Sequence, residues 1–282
     1  MNKQKRIAAI HDISCFGKCS LTVALPVLSA AGFETCPVPT ALLSTHTGGF
    51  EGYTFLDLTN EIMPVTNHWK SIGLEFDAIY SGYLGSYTQL EHTKEIIKMF
   101  KKDGSTILVD PVMGDRGRLY AGFDSGFAKG MASLCSYADI IVPNITEAAF
   151  MTDTEYLEEQ NEEYIQELAH KTVALGAKNT VITGVSLKKG EVGAVVVDKE
   201  GKTEYIMHKK ADGMYHGTGD VFASVLLCGV MHGMSVYDAV DFAAEFVIKS
   251  IEKTKNTYRN ENYGVNFEEC IPFLVKKLRL GD

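Results

Sequence analysis

The stretch Gly217-Thr218-Gly219-Asp220-Val221-Phe222-Ala223-Ser224-Val225-Leu226-Leu227 places two glycines directly before an apolar helix pattern. Glycine lets the main chain turn tightly and approach a ligand closely. The free N–H groups at the start of the helix would then point at one spot, which suits an oxyanion or a phosphate. Asp220 is either a reactive carboxylate beside that spot or only a favourable charge at the helix N-terminus. The Rossmann fingerprint is excluded, because Phe222 stands where its third glycine would be required.

Short β-branched runs alternate with helical patterns upstream of this stretch. They predict strands at residues 6–11, 35–42, 77–81, 105–110, 139–142 and 180–183, and helices at residues 21–31, 88–102 and 162–175. Pro37 and Pro39 allow the second of these strands only as an edge strand. A hairpin follows at residues 193–198 and 203–207, and helices are predicted at residues 220–231, 236–253 and 267–278.

This order predicts the α/β class, as a three-layer α/β/α sandwich around a mostly parallel central sheet. Neither a linker nor a repeat divides the sequence, so we expect a single domain over residues 1–282. Ligands of such sheets bind beyond the carboxyl ends of the strands. The residues predicted at those ends are Asp12, Gly82, Tyr83, Asp110, Asn144, Thr183 and Gly184.

The composition excludes several classes of function. Lysine and arginine number 27 against 36 aspartates and glutamates, a net charge of −9, so binding of nucleic acid or an anionic membrane through bulk charge is not expected. The sequence shows neither a signal peptide nor a stretch long enough to span a membrane, which predicts a cytoplasmic protein. The six cysteines lack zinc-finger spacing and are expected to be free thiols.

Three further motifs carry polar groups. Asp110-Pro111-Val112-Met113-Gly114-Asp115 follows a predicted strand, where its first carboxylate could hold Mg²⁺ or simply form a turn. In Pro143-Asn144-Ile145-Thr146-Glu147, Thr146 could cap a short helix, while Asn144 and Glu147 could face the strand-end cleft. The stretch Ser44-Thr45-His46-Thr47-Gly48-Gly49-Phe50 reads as a substrate loop or flap, or as a plain surface loop.

Together and in this order, the four motifs resemble the ribokinase-like superfamily, and within it the pyridoxal (vitamin B6) kinases. The resemblance covers nearly the whole chain. The Gly-Thr-Gly-Asp motif identifies the superfamily, and the motifs beginning at Asp110 and Pro143 narrow the resemblance to vitamin kinases. The Ser44–Thr47 and Ser81-Gly82-Tyr83 stretches favour the pyridoxal branch.

The resemblance implies a role for each matching residue on the phosphate side. Asp220 would be the catalytic base, and Gly217, Thr218 and Gly219 would form the anion hole. Asp110 and Glu147 would hold Mg²⁺, partly through water. The ATP-binding residues would be Asp115, Asn144, Thr183 and Lys209. ATP and Mg²⁺ are therefore the expected cofactors, and a monovalent cation is left open.

On the substrate side, the resemblance places Asp12, Cys19, His46, Thr47 and Tyr83 around the pyridine ring, and residues 115–122 in a cover over the site. Asp12 is a departure, because these kinases usually carry serine at that position. Its carboxylate would pair with the pyridinium nitrogen or with the amine of pyridoxamine, which would favour pyridoxamine or pyridoxine over the aldehyde.

The expected activity is ATP-dependent phosphorylation of the 5′-hydroxymethyl group of pyridoxal, pyridoxamine or pyridoxine in vitamin B6 salvage. One alternative is a hydroxymethylpyrimidine kinase of thiamine synthesis, which would share the phosphoryl-transfer residues. Another is a non-catalytic B6-binding protein, which would need neither a base nor a pair of metal ligands. The resemblance also implies a homodimer.

Overall fold

The core of the fold is a nine-stranded sheet, seen in a computed structural model that describes residues 4–213, 215–255, 257 and 261–280. The strands are β1 (Arg6–Ser14), β2 (Glu34–Leu43), β3 (Phe55–Asp57), β4 (Ala78–Ser81), β5 (Thr106–Val109), β6 (Gly114–Asp115), β7 (Arg118–Leu119), β8 (Ile140–Ile141), β9 (Asn179–Val185), β10 (Glu191–Asp198) and β11 (Thr203–Lys209). The helices are α1 (Leu21–Ala30), α2 (Thr59–Ser71), α3 (Tyr87–Phe100), α4 (Ser125–Cys135), α5 (Ile145–Met151), α6 (Glu162–Val173), α7 (Thr218–Met231), α8 (Val236–Lys255) and α9 (Ile271–Lys277). Short 3₁₀ helices span Glu261–Tyr263 and Phe267–Cys270.

The strand order confirms the predicted mostly parallel sheet. The order is β11-β10-β9-β8-β5-β4-β1-β2-β3, and β6 pairs with β7 in a separate hairpin. All neighbours from β2 to β9 pair in parallel, whereas β3, β10 and β11 add antiparallel edges. The parallel strands therefore bring their carboxyl ends to one rim of the sheet.

Alternate residues of the central strands pack into different helix layers, which gives the predicted three-layer sandwich. Ile7 and Tyr80 join the cluster formed with α1, α7, α8 and α9. Ala8 and Ile79 face the cluster on the other side, formed with α2, α3 and α4. A third cluster packs α5 and α6 against β9 and β10. Because both faces are covered, the strands read as continuous apolar runs.

Several boundaries differ from the sequence prediction. Strand β1 continues to Ser14 rather than ending at His11, and α9 is preceded by a 3₁₀ helix instead of starting at Phe267. Helices α2 and α4 and the short strand β3 were not predicted, whereas α5 is the short helix expected after Pro143-Asn144. Strand β2 is second from the edge, yet β3 pairs only with its residues 41–43, so the stretch holding Pro37 and Pro39 keeps one open side where no N–H is needed.

The cysteines and the helices agree with the expectations for a chain without cross-links or spanning segments. All six cysteines are free, and Cys135, Cys228 and Cys270 are buried. None of the described helices is long and apolar enough to cross a membrane. The single domain over residues 1–282 stays a prediction.

Alanine substitutions at Ile79 and at Ile72 test which of the two residues belongs to the hydrophobic core. Ile79 in β4 is fully buried, and we expect Ile79→Ala to lower the free energy of unfolding by about 3 kcal/mol. Ile72, at the end of α2, is 59% exposed, so the same substitution there should change it by less than about 0.5 kcal/mol. Urea unfolding of both variants measures the difference, and equal losses would contradict this placement of the core.

Candidate active site

Helix α7 begins at the rim where the parallel strands end. Its N-cap, Gly217, has a φ of 74°, and a Cβ there would overlap the Lys18 carbonyl oxygen, so only glycine fits without strain. No side chain caps this end of the helix. A Cβ on Gly219 would meet no protein atom within 4 Å, so the second glycine opens space toward solvent instead of relieving a clash. The helix start thus offers main-chain N–H groups and room for an anion.

Asp220 sits in the first turn of α7, next to a second carboxylate. The Ser20 N–H donates to Asp220, and the negative charge of Asp12 acts on it. Burial raises the pKa of Asp220 to about 7, since its charged form loses hydration. Asp12 accepts a hydrogen bond from the Ser14 hydroxyl at 3.0 Å, and burial raises its pKa as well.

Asp110 and Glu147 form a second carboxylate pair. Burial and the charges of Glu147 and Asp220 raise the pKa of Asp110 well above its usual range. Burial likewise raises the pKa of Glu147 to about 8. Glu147 and Asp220, two of the acids predicted to act with Asp110, therefore both lie close enough to Asp110 to oppose its ionisation.

A capping box fixes Glu147 in place. The Glu147 carboxylate accepts hydrogen bonds from the N–H groups of Asn144 (2.8 Å) and Met113 (3.1 Å). The Asn144 side chain in turn accepts from the Glu147 N–H at 3.0 Å and donates to the Gly114 carbonyl at 2.8 Å. Asn144, and not Thr146, is therefore the N-cap of α5. The Thr146 hydroxyl instead accepts a hydrogen bond from the N–H of Gly117.

The donor set suits a hard divalent cation. Mg²⁺ prefers carboxylate oxygens and keeps several waters, and a cation between Asp110 and Glu147 would relieve their mutual repulsion. Glu147 already accepts main-chain hydrogen bonds, so Asp110 is better placed to contact the ion directly. Among the described residues, no three His, Cys, Asp or Glu side chains form a metal site by themselves. The remaining ligands would come from water and phosphate oxygens.

The other predicted ATP residues lie at different distances from this pair. Thr183 in β9 forms a bridge with Asn144 and donates its N–H to the Pro143 carbonyl at 2.9 Å, so it stands beside the capping box. Asp115 is exposed in the β6–β7 hairpin, and its charge acts on Glu147. Lys209 ends β11 with its side chain exposed, and no described contact links it to the carboxylates.

Three predicted substrate residues surround one space near Asp220. Burial and the charges of Asp220 and Asp12 raise the pKa of Cys19 well above its usual range, so this thiol stays protonated. Burial, followed by the charge of Asp12, raises the pKa of the Tyr83 phenol to about 12. The half-buried Tyr83 ring lies 5.8 Å from the Phe123 ring, centroid to centroid. Cys19, Tyr83 and Asp12 thus meet at the rim between β1 and β4.

His46 is held by the main chain on both sides of its ring. Its Nδ1 accepts the Gly48 N–H at 3.1 Å, which leaves Nε2 to donate to the Asn262 carbonyl at 2.6 Å. The Asn262 side chain donates to the Gly49 carbonyl at 3.1 Å. His46 can therefore offer a ligand only its ring, while the next residue, Thr47, is exposed.

Ser20 is a contributor that the sequence analysis missed. It precedes α1 with a φ of 56°, a conformation that costs strain for a residue with a side chain. Its hydroxyl stabilises the charged form of Asp12, and its N–H does the same for Asp220. A serine just before a helix predicts an N-cap, but its side chain does not cap α1, so the sequence signal pointed to a different role.

The chain resembles known proteins both in sequence and in fold. The family model described as phosphomethylpyrimidine kinase matches residues 24–266. A crystal structure from Bacteroides thetaiotaomicron, described as a candidate phosphomethylpyrimidine kinase in a form with pyridoxal, is 37% identical with a TM-score of 0.91, covering 96% of each chain. Pyridoxal kinase from Lactobacillus plantarum is 29% identical with a TM-score of 0.91, covering 98% of each chain. A pyridoxal kinase of Aliivibrio fischeri is 26% identical over 89% of this chain and 90% of its own. The chain belongs to the phosphomethylpyrimidine kinase family.

Proposed function

We propose that the chain is an ATP-dependent kinase that phosphorylates the 5′-hydroxymethyl group of vitamin B6 compounds. The observation that carries the proposal is the convergence of Asp220, Asp110 and Glu147 at the uncapped N-terminus of α7. The likeness to a 37% identical structure with pyridoxal supports this class of acceptor. A protein that only binds the vitamin would gain nothing from three mutually repelling acids.

Asp220 is proposed as the base that accepts the proton of the acceptor hydroxyl. Phosphoryl transfer depends mainly on positioning and charge neutralisation, so a carboxylate with a pKa of about 7 is sufficient. The main-chain N–H groups of residues 217–219 would stabilise charge on the transferred phosphoryl oxygens. Burial of Asp220 beside these groups keeps the base and the anion site in one fixed geometry.

Asp110, with Glu147 behind it, is proposed to hold Mg²⁺ against the phosphates. The ion would neutralise phosphate charge when bound. Glu147 keeps Asn144 and Met113 in place through its two hydrogen bonds, so it also shapes the loop after β5. Thr183 and Asp115 flank this side, and we propose that they and Lys209 approach the nucleotide.

The acceptor ring is proposed to bind between Tyr83, Cys19 and Asp12, under the loop that carries His46 and Thr47. The tyrosine face can pack on an aromatic ring while its hydroxyl stays polar. The β6–β7 hairpin would cover the site and exclude water. Its two-residue turn, Arg116-Gly117, has positive φ at both positions, and Gly117 is tied to Thr146.

Replacing the proposed base tests the assignment directly. We expect Asp220→Asn to lower kcat with pyridoxal by about 100-fold or more, because the acceptor hydroxyl loses its proton acceptor. The matched control is Asp238→Asn, another first-turn aspartate, at the start of α8. It should leave kcat unchanged. Coupled ADP-release assays with pyridoxal, pyridoxamine, pyridoxine and hydroxymethylpyrimidine measure both variants, and a loss below about tenfold for Asp220→Asn contradicts the role.

The raised pKa of Asp220 also predicts the pH dependence of the wild-type enzyme. A carboxylic acid acts as a base only after losing its proton, so activity is lost as the pH falls below about 7. We expect kcat/KM to fall about tenfold per pH unit on that acidic side and to level off above it. A flat profile between pH 5 and 8 would argue against a buried carboxylate base.

Substitution of Asp110, the proposed metal ligand, should raise the Mg²⁺ concentration that the enzyme requires. We expect Asp110→Asn to raise the half-saturating Mg²⁺ concentration about tenfold or more, since one charged ligand is lost. The control Asp103→Asn replaces an exposed aspartate in the turn before β5 and should leave Mg²⁺ dependence unchanged. Mg²⁺ titrations at saturating ATP measure both, and identical curves for Asp110→Asn and wild type would remove Asp110 from the metal site.

We further infer that two copies associate through the β3 edge of the sheet. Phe55 and Leu56 in β3 are 48% and 56% exposed, beside the exposed Leu42 of β2. Exposed apolar side chains on an open edge strand favour pairing with another chain. Light scattering after size exclusion should give about twice the chain mass of 31.0 kDa for wild type and for Ile72→Lys, and a monomer for Leu56→Lys. A wild-type monomer contradicts the dimer.

A further inference from the structure

Three polar side chains lie fully buried in the otherwise apolar layer between the sheet and α7. They are His11 of β1, Tyr80 of β4 and Ser224 of α7, each with no exposed surface. Both ring nitrogens of His11 and the hydroxyls of Tyr80 and Ser224 have no hydrogen-bond partner among the described residues. The His11 and Tyr80 rings meet edge to face, with centroids 4.3 Å apart. Most buried polar atoms in proteins are paired, so this group requires an explanation.

The group lies directly behind the acids of the active site. Tyr80 pairs with Leu108 of β5, and Asp110 follows two residues later on the same face of that strand. Ser224 comes one helical turn after Asp220, so both project from the same side of α7. The charges of Asp110 and Asp220, added to burial, raise the pKa of Tyr80 well above its usual range. Tyr80 therefore keeps its proton and remains a hydrogen-bond donor.

A buried polar group without a hydrogen-bond partner lowers the free energy of unfolding by about 1–3 kcal/mol. Three neighbouring side chains in this layer would each cause such a loss. An ordered water removes it, because a buried water makes about three hydrogen bonds to such groups. The Ser224 hydroxyl favours the ionised form of Tyr80, so the two hydroxyls face each other at close range but without the geometry of a direct hydrogen bond. The position behind two carboxylates gives the water an acceptor as well as donors.

We propose that Tyr80 is a positioning residue of the transfer site: through an ordered water shared with Ser224 and His11, its hydroxyl holds the Asp220 carboxylate toward the acceptor. Ser20 holds the same carboxylate from the other side with its N–H. The inference rests on the proposed kinase function. Tyr80 would be the second residue, after Ser20, that orients the Asp220 carboxylate without contacting the substrate or the nucleotide.

The substitution Tyr80→Phe tests the proposal, since it removes one oxygen and keeps the ring. We expect kcat to fall about tenfold, because a hydrogen bond to a charged group is lost, while KM for the vitamer and for ATP stays within about twofold. The matched control is Tyr205→Phe. The Tyr205 hydroxyl in β11 is also buried without the geometry of a hydrogen bond to any described residue, but the acid whose charge acts on it is Glu162, not an acid of the site. This control should keep wild-type kcat.

Thermal stability and a second variant separate positioning from packing. If the Tyr80 hydroxyl is hydrogen-bonded through water, Tyr80→Phe lowers Tm or leaves it unchanged; if the hydroxyl is an orphan, its removal raises Tm. Ser224→Ala should lower kcat as Tyr80→Phe does, and the double variant should lose less than the product of the two losses.

A kcat for Tyr80→Phe above about a third of wild type, or a raised Tm, overturns the proposal. If wild type fails to phosphorylate any B6 compound, the kinase function fails instead. If wild type is active and Tyr80→Phe equals it, only the positioning role fails. A crystal structure of wild type with a water joining Tyr80 Oη to Ser224 Oγ would support the role independently, and direct contact of apolar atoms there would oppose it.

Discussion

The arrangement depends on several like-charged carboxylates held together in a small volume at the rim of the sheet. Burial raises the pKa of Asp110, Glu147 and Asp220, the charges of Glu147 and Asp220 add to the rise at Asp110, and the charge of Asp12 adds to it at Asp220. Buried acids in such a cluster are stable only if hydrogen-bond donors or opposite charges offset their lost hydration and their repulsion. Main-chain N–H groups stabilise two of these acids, Ser20 at Asp220 and Met113 with Asn144 at Glu147, and a cation or a polyphosphate with its metal would neutralise the cluster further.

The sequence alone predicted the layers of the fold and most strands, because short continuous runs of β-branched apolar residues and helical patterns are local signals. It missed α2, which contains Pro64, and α4, whose apolar face is interrupted by polar residues. It assigned the acids to one site through the shared motif, not through any distance. Ser20 stands directly before a helix and Tyr80 lies inside a buried strand, and neither position alone indicates a role at the site.

The predicted site residues fall into two groups, those whose side chains bind other parts of the protein and those whose polar atoms remain available to a ligand. Asn144 and His46 were predicted to contact ligands, but in the structure their side chains form hydrogen bonds with main-chain groups of the protein. Asp110, Gly219 and Tyr83 keep free surface or free acceptor capacity toward the same space, so they remain the better candidates for ligand contact. Spacing in a sequence places a residue near a site, but only the hydrogen-bond pattern distinguishes a residue that builds the site from one that meets the ligand.

Residues 262–264 contact two loops that lie much earlier in the sequence, at Lys18 and at His46. The Asn262 carbonyl receives His46, and the Tyr263 carbonyl receives the Lys18 N–H. A Cβ on Gly264 would crowd the Lys18 main chain. During synthesis on the ribosome, every acid of the site is therefore made before the segment that secures the two loops beside them. The nascent chain therefore lacks the contacts that hold these two loops until residues 262–264 have been synthesised and have folded back onto them.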